Sequence, residues 1–339
     1  MSRILVLGGG QMGSVIAADL ATDHSVTVAD QRPLDIVGVE PVVADLSDAK
    51  AVESLARKFD FVVGALPANL GFVAARATVA AGKNFVDVAF FAEDARLLHD
   101  EATRAGVAIL PDCGLAPGIS NLVAGRAAAA APRQNIDIRV GGISEDPARP
   151  FGIIVTWSVA DLVDEYIRPT RYVEKGEVVT VSALTGVEQI HVDGVGDLEA
   201  FFTDGLRTLL ELDGVTNMTE KTMRWPGHLD QIAPYLVNGT LGDEIRRSCR
   251  DGRDLVVMVI DVDDTRVSLV ARATDSMSAM ARTTALTTAA FARWVAKGKL
   301  KGVGVIPPEK IGADPEAFRF ILEDLAKQGI HLSPPLPFI

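Results

Sequence analysis

Apolar runs and helical periodicities alternate along the first third of the chain. Arg3 to Leu7 is a short, almost wholly apolar run of the kind a buried parallel strand shows. From Met12 to Leu20, Val15, Ile16, Ala18 and Leu20 recur at roughly helical spacing. The runs Ser25 to Ala29, Pro41 to Ala44, Phe61 to Leu66, Phe85 to Ala89 and Val107 to Leu110 read as further strands. Helices are predicted between them. Ser47 is placed to cap one carrying Val52, Leu55 and Phe59, a second runs to Ala81 and stops at Gly82, and a third covers Asp94 to Ala105. Six strands with intervening helices predict a doubly wound parallel sheet, which binds ligands beyond the carboxyl ends of its strands.

Past Pro111 the pattern changes. A turn-rich stretch from Asp112 to Gly118 leads into a helix with an alanine run that stops at Pro132. Strand-like runs then dominate: Ile136 to Ile143, Phe151 to Thr156, Glu177 to Ser182, Leu255 to Ile260 and Arg266 to Ala271. Helices such as Val159 to Tyr166 are few, so this part reads as an α+β domain with an antiparallel or mixed sheet. Two helices close the chain. Ser276 is placed to cap the first, which ends at Gly298, and Asp314-Pro315 opens the second, which carries Phe318, Ile321, Leu322 and Leu325 on its apolar face.

Gly8-Gly9-Gly10-Gln11-Met12-Gly13 joins the first strand to the first helix and matches G-x-G-x-x-G. In that setting Gly8 makes the tight turn, Gly10 lets the backbone approach a pyrophosphate at the helix N-terminus, and Gly13 lets helix and strand pack closely. Asp30 ends the second strand at the spacing of about 20 residues expected of a ribose-binding carboxylate. A carboxylate there repels a 2′-phosphate and favours NAD, while Arg32 softens that preference, so NADP stays possible. The loop after Asp45 is placed against the adenine, and Ala65-Leu66-Pro67 at the end of the fourth strand beside the nicotinamide ribose. Asp87 and Asp112 follow the fifth and sixth strands and point towards the cofactor.

Composition narrows the class further. The 339 residues carry 45 acids against 33 bases, a net charge of −12, which disfavours a nucleic-acid partner. Hydrophobic residues at 48% and charged residues at 23% fit a globular chain long enough for two domains. No stretch has the roughly 20 apolar residues of a membrane span, and the first residues make a poor signal peptide. Two cysteines, Cys113 and Cys249, provide neither a disulfide framework nor a zinc site, and a reducing cytoplasm is expected. The histidines lack metal-ligand spacing, so no metal is predicted.

Four blocks, VLGGGQMG at Val6–Gly13, LPDCGLAPGISNL at Leu110–Leu122, KTMRWPGH at Lys221–His228 and SAMARTTALT with GVIPPEKI near the C-terminus, resemble the saccharopine dehydrogenase-like oxidoreductases, and within them the lysine 6-dehydrogenases. The stretch from about Leu229 to Leu255 is shorter than in lysine 6-dehydrogenases, and Ala116 stands where saccharopine reductases tend to have Asp. The resemblance implies NAD(P)-linked oxidation of an amine on an amino acid; for lysine it gives 2-aminoadipate 6-semialdehyde and ammonia. It also implies a nucleotide domain of residues 1–120 with 276–339, an inserted substrate-binding and oligomerisation domain of residues 121–275, and a homodimer or larger homo-oligomer. A saccharopine- or carboxynorspermidine-type reductase and a non-catalytic NADH sensor are the alternatives.

Such chemistry needs a neutral amine, hence a proton acceptor, and a cation for the substrate carboxylate. Arg224 is the carboxylate candidate, or else a surface Arg stacked on Trp225. His228, with an ordinary pKa of about 6.5, and Lys221 are candidates for proton transfer. Asp112 either holds the substrate amine or caps its own turn. Phe90 and Trp157, unless they are core residues, are placed to wall an aliphatic substrate.

Overall fold

The computed structural model describes residues 1–131, 134–156 and 158–334. Two compact units divide the chain. The first joins Met1–Gly125 to Thr283–Gly329, and the second joins Arg126–Arg282 to the residues from Ile330 on.

The first unit runs β1 (Arg3–Leu7), α1 (Gln11–Leu20), β2 (Ser25–Asp30), β3 (Glu40–Val43), α2 (Ala49–Ala56), β4 (Phe61–Gly64), α3 (Ala68–Ala80), β5 (Asn84–Asp87), α4 (His99–Ala105), β6 (Ala108–Leu110) and α5 (Ile119–Ala130), the last crossing into the second unit. The second unit continues with β7 (Gln134–Ser144), α6 (Val159–Glu165), β8 (Thr170–Glu174), β9 (Glu177–Val181), β10 (Glu188–Val192), β11 (Gly196–Phe202), β12 (Val215–Arg224), α7 (His228–Val237), α8 (Leu241–Ser248), β13 (Asp254–Val262) and β14 (Thr265–Arg272). α9 (Ala279–Ala296) returns to the first unit, which ends with β15 (Gly304–Val305), α10 (Pro308–Ala313) and α11 (Pro315–Lys327).

In the first unit the strand order is β15-β6-β5-β4-β1-β2-β3, with every pairing parallel. Reading from β3, the order 3-2-1-4-5-6 is that of the dinucleotide-binding sheet. Ile4, Leu5, Val6 and Leu7 are wholly buried, as a strand covered on both faces must be. β15 adds a seventh strand beside β6. Arg293 of α9 ties this return to the sheet's helices, with Nη1 donating to Asp19 of α1 at 2.7 Å and to Asp324 of α11 at 3.0 Å.

In the second unit the sheet order is β10-β11-β12-β7-β13-β14, and β8 pairs with β12 and with β9. β12 runs parallel to β7 while β13 and β14 are antiparallel, so the sheet is mixed. The architecture is therefore a Rossmann-type parallel sheet joined to an α+β second part.

Several sequence expectations shift. Asp48, not Ser47, caps α2 by accepting from Lys50 N at 2.9 Å, because Ser47 already donates to Asp45. Ser276 does not cap α9. Asp254 reaches across from β13 to accept from Ala279 N at 2.6 Å and Met280 N at 2.8 Å, and Ser278 caps Ala281 N. Asp94 opens a 3₁₀ turn at Ala95–Leu98 before α4, so the expected single helix is broken. Phe151 to Thr156 is not a strand: Phe151 has φ +55° and Gly152 φ +63°, and Phe151, Ile153 and Val155 pack among α6, α7 and α8 instead of joining a ladder. The described tail, residues 330–334, goes with the second unit, where Ser333 pairs with Ser268 at the edge of β14.

Candidate functional site

The glycine turn shows its constraints as distances. A Cβ on Gly13 would stand 1.9 Å from the Gly8 carbonyl oxygen, and one on Gly8, whose φ is +92°, would stand 2.6 Å from the Ala65 carbonyl oxygen. The turn is thus pressed between β1, α1 and the end of β4, where Ala65 and the buried Leu66 abut it. Gly10 is different: nothing lies within 4 Å of its added Cβ. Gly10 is also the N-cap of α1, with no side-chain cap and no acid in the first turn, so the helix presents its N–H groups to open space. Gln11 is exposed and Met12 half-buried there. Donors, a positive helix end and room for a close approach suit a pyrophosphate.

Asp30 completes this arrangement. It accepts from Gly9 N at 2.8 Å and Arg32 N at 3.0 Å, and the Arg32 guanidinium lies 3.6 Å away. Burial alone would raise its pKa, but those N–H groups and Arg32 outweigh it and hold the carboxyl below its usual range. It is therefore a carboxylate at neutral pH, ready to accept from ribose hydroxyls. Asp45 is exposed and engaged with Ser47, whose hydroxyl and N–H lower its pKa. Pro67 is exposed and Leu66 buried.

Asp87 has no exposed surface; a Cβ on Gly64 would stand 2.2 Å from its Oδ1. Asp112 is buried with φ +58°. Both flank Cys113, whose thiol is pushed well up, first by burial and then by these two charges. Cys113 N donates to the Asp87 carbonyl at 2.8 Å. After it, the Gly114–Gly118 turn closes on itself: a Cβ on Gly118 would stand 1.7 Å from the Gly114 carbonyl oxygen. Phe90 is half-buried. Trp157 lies outside the described residues.

A second assembly lies in the second unit. β12 alternates, so Glu220, Thr222 and Arg224 share one face and Lys221 and Met223 the other. Lys221 is therefore separated from Arg224: its Nζ donates to the Gly186 carbonyl at 2.8 Å, pairs with Glu188 at 3.4 Å and lies over the Phe202 ring. The structure does not bring it into one cluster with His228. Arg224, by contrast, is 5% exposed and donates from Nε to Tyr166 Oη at 2.9 Å and from Nη1 to the Met223 carbonyl at 2.9 Å. Among the described residues its Nη2 has no acceptor and no carboxylate lies within ion-pair distance. Glu199, its cross-strand neighbour, is committed elsewhere, accepting from Gly227 N at 3.0 Å and Leu229 N at 3.1 Å at the start of α7. A buried guanidinium with an open edge has the chemistry to take an anion.

His228, 1% exposed, is linked to this arginine through Tyr166. Its Nδ1 is 2.7 Å from the Phe151 carbonyl, which can only accept, so Nδ1 carries the proton and Nε2 accepts from Tyr166 Oη at 3.0 Å. Burial first, and then the Arg224 charge, push its pKa down to about 3. The expectation of a histidine titrating near neutrality is therefore corrected: both ring nitrogens are engaged and the ring stays neutral. Tyr166 links the two, with its pKa pushed up to about 12 chiefly by burial. Sequence reading passed over Tyr166 and Glu199. The signal was the alternation of polar residues in TEKTMR, which aims three of them at one buried face.

A parallel dinucleotide-type sheet with a glycine turn and a carboxylate at the end of β2, carried with a mixed-sheet unit holding a buried arginine, defines a nucleotide-binding, two-part architecture. Residues 4–110 match the family model described as saccharopine dehydrogenase NADP binding domain, and residues 114–330 match saccharopine dehydrogenase C-terminal domain. The chain belongs to the saccharopine dehydrogenase family. It is 26% identical over 166 residues to alpha-aminoadipic semialdehyde synthase of Arabidopsis thaliana, covering 47% of this chain and 15% of that protein. It is 24% identical over 196 residues to saccharopine dehydrogenase [NADP(+), L-glutamate-forming] of Saccharomyces cerevisiae, covering 53% and 44%. These matches span less than half the length of either relative. Apo saccharopine dehydrogenase (L-Glu forming) from Saccharomyces cerevisiae shares the fold, with TM-score 0.76, 19% identity and coverage of 98% of this chain and 99% of that one.

Proposed function

We propose that the chain is an NAD(P)-dependent dehydrogenase that oxidises a carbon–nitrogen bond of an amino acid, with the 6-amine of L-lysine as the leading substrate. The observation that carries this reading is the buried Arg224, whose guanidinium has an open edge and no carboxylate partner among the described residues. A substrate carboxylate supplies the missing anion. Gly8 to Gly13 and Asp30 would hold the dinucleotide, with Asp30 favouring NAD and Arg32 leaving NADP possible. When bound there, the dinucleotide would supply the hydride acceptor for oxidation of the carbon bearing the amine. Arg224 orients the substrate, and Tyr166 and His228 hold the guanidinium without titrating near neutrality. Water then hydrolyses the oxidised carbon–nitrogen bond and releases the amine.

The second reading, a saccharopine-type dehydrogenase acting on a secondary amine, is favoured by the names of the relatives. Incubation with NAD or NADP and a panel of lysine, saccharopine, carboxynorspermidine and other diamino acids, followed by absorbance of the reduced cofactor, separates the two. Reduction with ammonia release from lysine is expected. Turnover confined to saccharopine or carboxynorspermidine replaces lysine with the second reading. Tight NADH binding with no turnover on any amine overturns both and favours a nucleotide sensor.

A further inference from the structure

The first unit holds a second concavity, away from its glycine turn. A cavity of about 280 Å³ opens beside β15, between the end of α9 and α10. In the sheet order β15 stands four strand spacings from β1, roughly 19 Å. The volume is near the lower end of small-molecule sites. Buried Trp294, Val305, Ile306 and Ile311 make an apolar wall, and Val303, 42% exposed, continues it out to solvent. Three lysines, Lys299, Lys301 and Lys310, and His99 supply the basic lining, with Asp314 as its acid. In a chain of net charge −12, that lining runs against the overall balance.

The partners sort these groups. Lys299 pairs with Glu316, and Lys301 with Asp314 at 2.6 Å, so both are balanced. The Lys310 ammonium has no partner among the described residues. His99 accepts from Val305 N at Nδ1, at 3.2 Å, so Nε2 carries the ring's proton and has no acceptor among the described residues. Gly304 allows that contact: its φ is +88°, and a Cβ on it would stand 2.6 Å from His99 Cε1.

We propose that this cavity is a second ligand site, for a small organic monocarboxylate. The carboxylate meets the Lys310 ammonium and the His99 Nε2–H, and the apolar body lies against Trp294, Ile306 and Ile311. Charge balance selects the class. Two of the three lysines already have acids, so one cation is left for one negative charge. A phosphate dianion brings more charge than the lining balances and leaves the apolar wall uncovered. A carboxylate with an aliphatic or aromatic body uses both, and it covers Val303. The site does not depend on the dehydrogenase reading.

The test is a ligand-observed NMR titration of the full chain with hexanoate and benzoate, and with hexanol and inorganic phosphate for comparison. Saturable binding of at least one carboxylate is expected, with a Kd of about 1 mM or tighter. Hexanol and phosphate should bind at least roughly tenfold more weakly. Lys310→Gln should weaken the carboxylate roughly tenfold or more, the loss of one charge-assisted contact. Val303→Asp, which sets a like charge on the wall, should abolish binding. Both positions are exposed, so neither change removes core packing. Arg224→Ala should leave this binding unchanged, because Arg224 belongs to the second unit. No saturable binding of either carboxylate overturns the inference. So does binding that survives both Lys310→Gln and Val303→Asp, or that vanishes in Arg224→Ala. Phosphate binding as tight as that of the carboxylates overturns the assigned class. No turnover is measured, so each of these outcomes leaves the dehydrogenase reading where it stands.

Discussion

Arg224 concentrates the argument at the scale of single residues. Its type and its block were visible in KTMRWPGH, but its value as an anion site comes from what surrounds it. Tyr166 and the Met223 carbonyl take two of its nitrogens, and its cross-strand neighbour Glu199 is spent on α7. Arg224→Ala should raise the amine KM roughly 10- to 100-fold, the loss expected for hydrogen bonds to a charged group, and leave NAD affinity unchanged. An unaltered KM would remove it from the site. Asp30→Ala should weaken NAD and narrow its preference over NADP, measured as the ratio of the two dissociation constants; an unchanged ratio would refute the ribose role. His228 is the residue whose chemistry the sequence misjudged. A histidine in a short polar block reads as a titrating group, but burial against Phe151 and Tyr166 removes that option.

Among the elements, legibility followed burial. β1, β2 and β4 to β6 are covered on both faces and appear as apolar runs. β12 has equally clear pairing, yet its buried face carries Glu220, Thr222 and Arg224, so no apolar period marks it. The polar residues that make it a candidate site are the ones that hide it as a strand. Caps set by distant residues were also hidden: Asp254 lies 25 residues before the N–H of Ala279 that it accepts. Asp254→Ala should destabilise the chain by about 1–2 kcal/mol, the usual cost of losing a helix cap, read from urea unfolding; no loss would deny the cap its role. Gly13→Ala places a Cβ 1.9 Å from the Gly8 carbonyl oxygen. It should lower NAD affinity at least as much as stability, and retention of both would show that helix and turn can part.

For the whole molecule, two buried groups tilt stability in opposite directions with pH. His228 falls from 6.5 to about 3 on folding, so the unfolded chain takes up its proton first and stability is lost as pH drops from 6.5 towards 3. Glu220 rises from 4.5 to about 8, so its contribution is full below 4.5 and is lost as pH rises towards 8. Each slope is at most about 1.4 kcal/mol per pH unit. Glu220→Gln should therefore gain on wild type in urea midpoints between pH 4.5 and 8; a constant difference across that range would show that Glu220 ionises freely in the folded state. The sequence by itself determined the parallel nucleotide-binding sheet, its glycine turn and Asp30, because local periodicity and a strand–turn–helix order need no distant partner. It also determined that Arg224 and His228 belong to one block. Only the tertiary structure decided that Lys221 faces away, that Tyr166 joins Arg224 to a neutral His228, and that the hydroxyls of Thr222 and Thr203 lie between Glu165 and Glu220. Strand alternation and burial act through neighbours tens of residues away, and those neighbours set which side chain is an anion site, which is a support and which holds a proton.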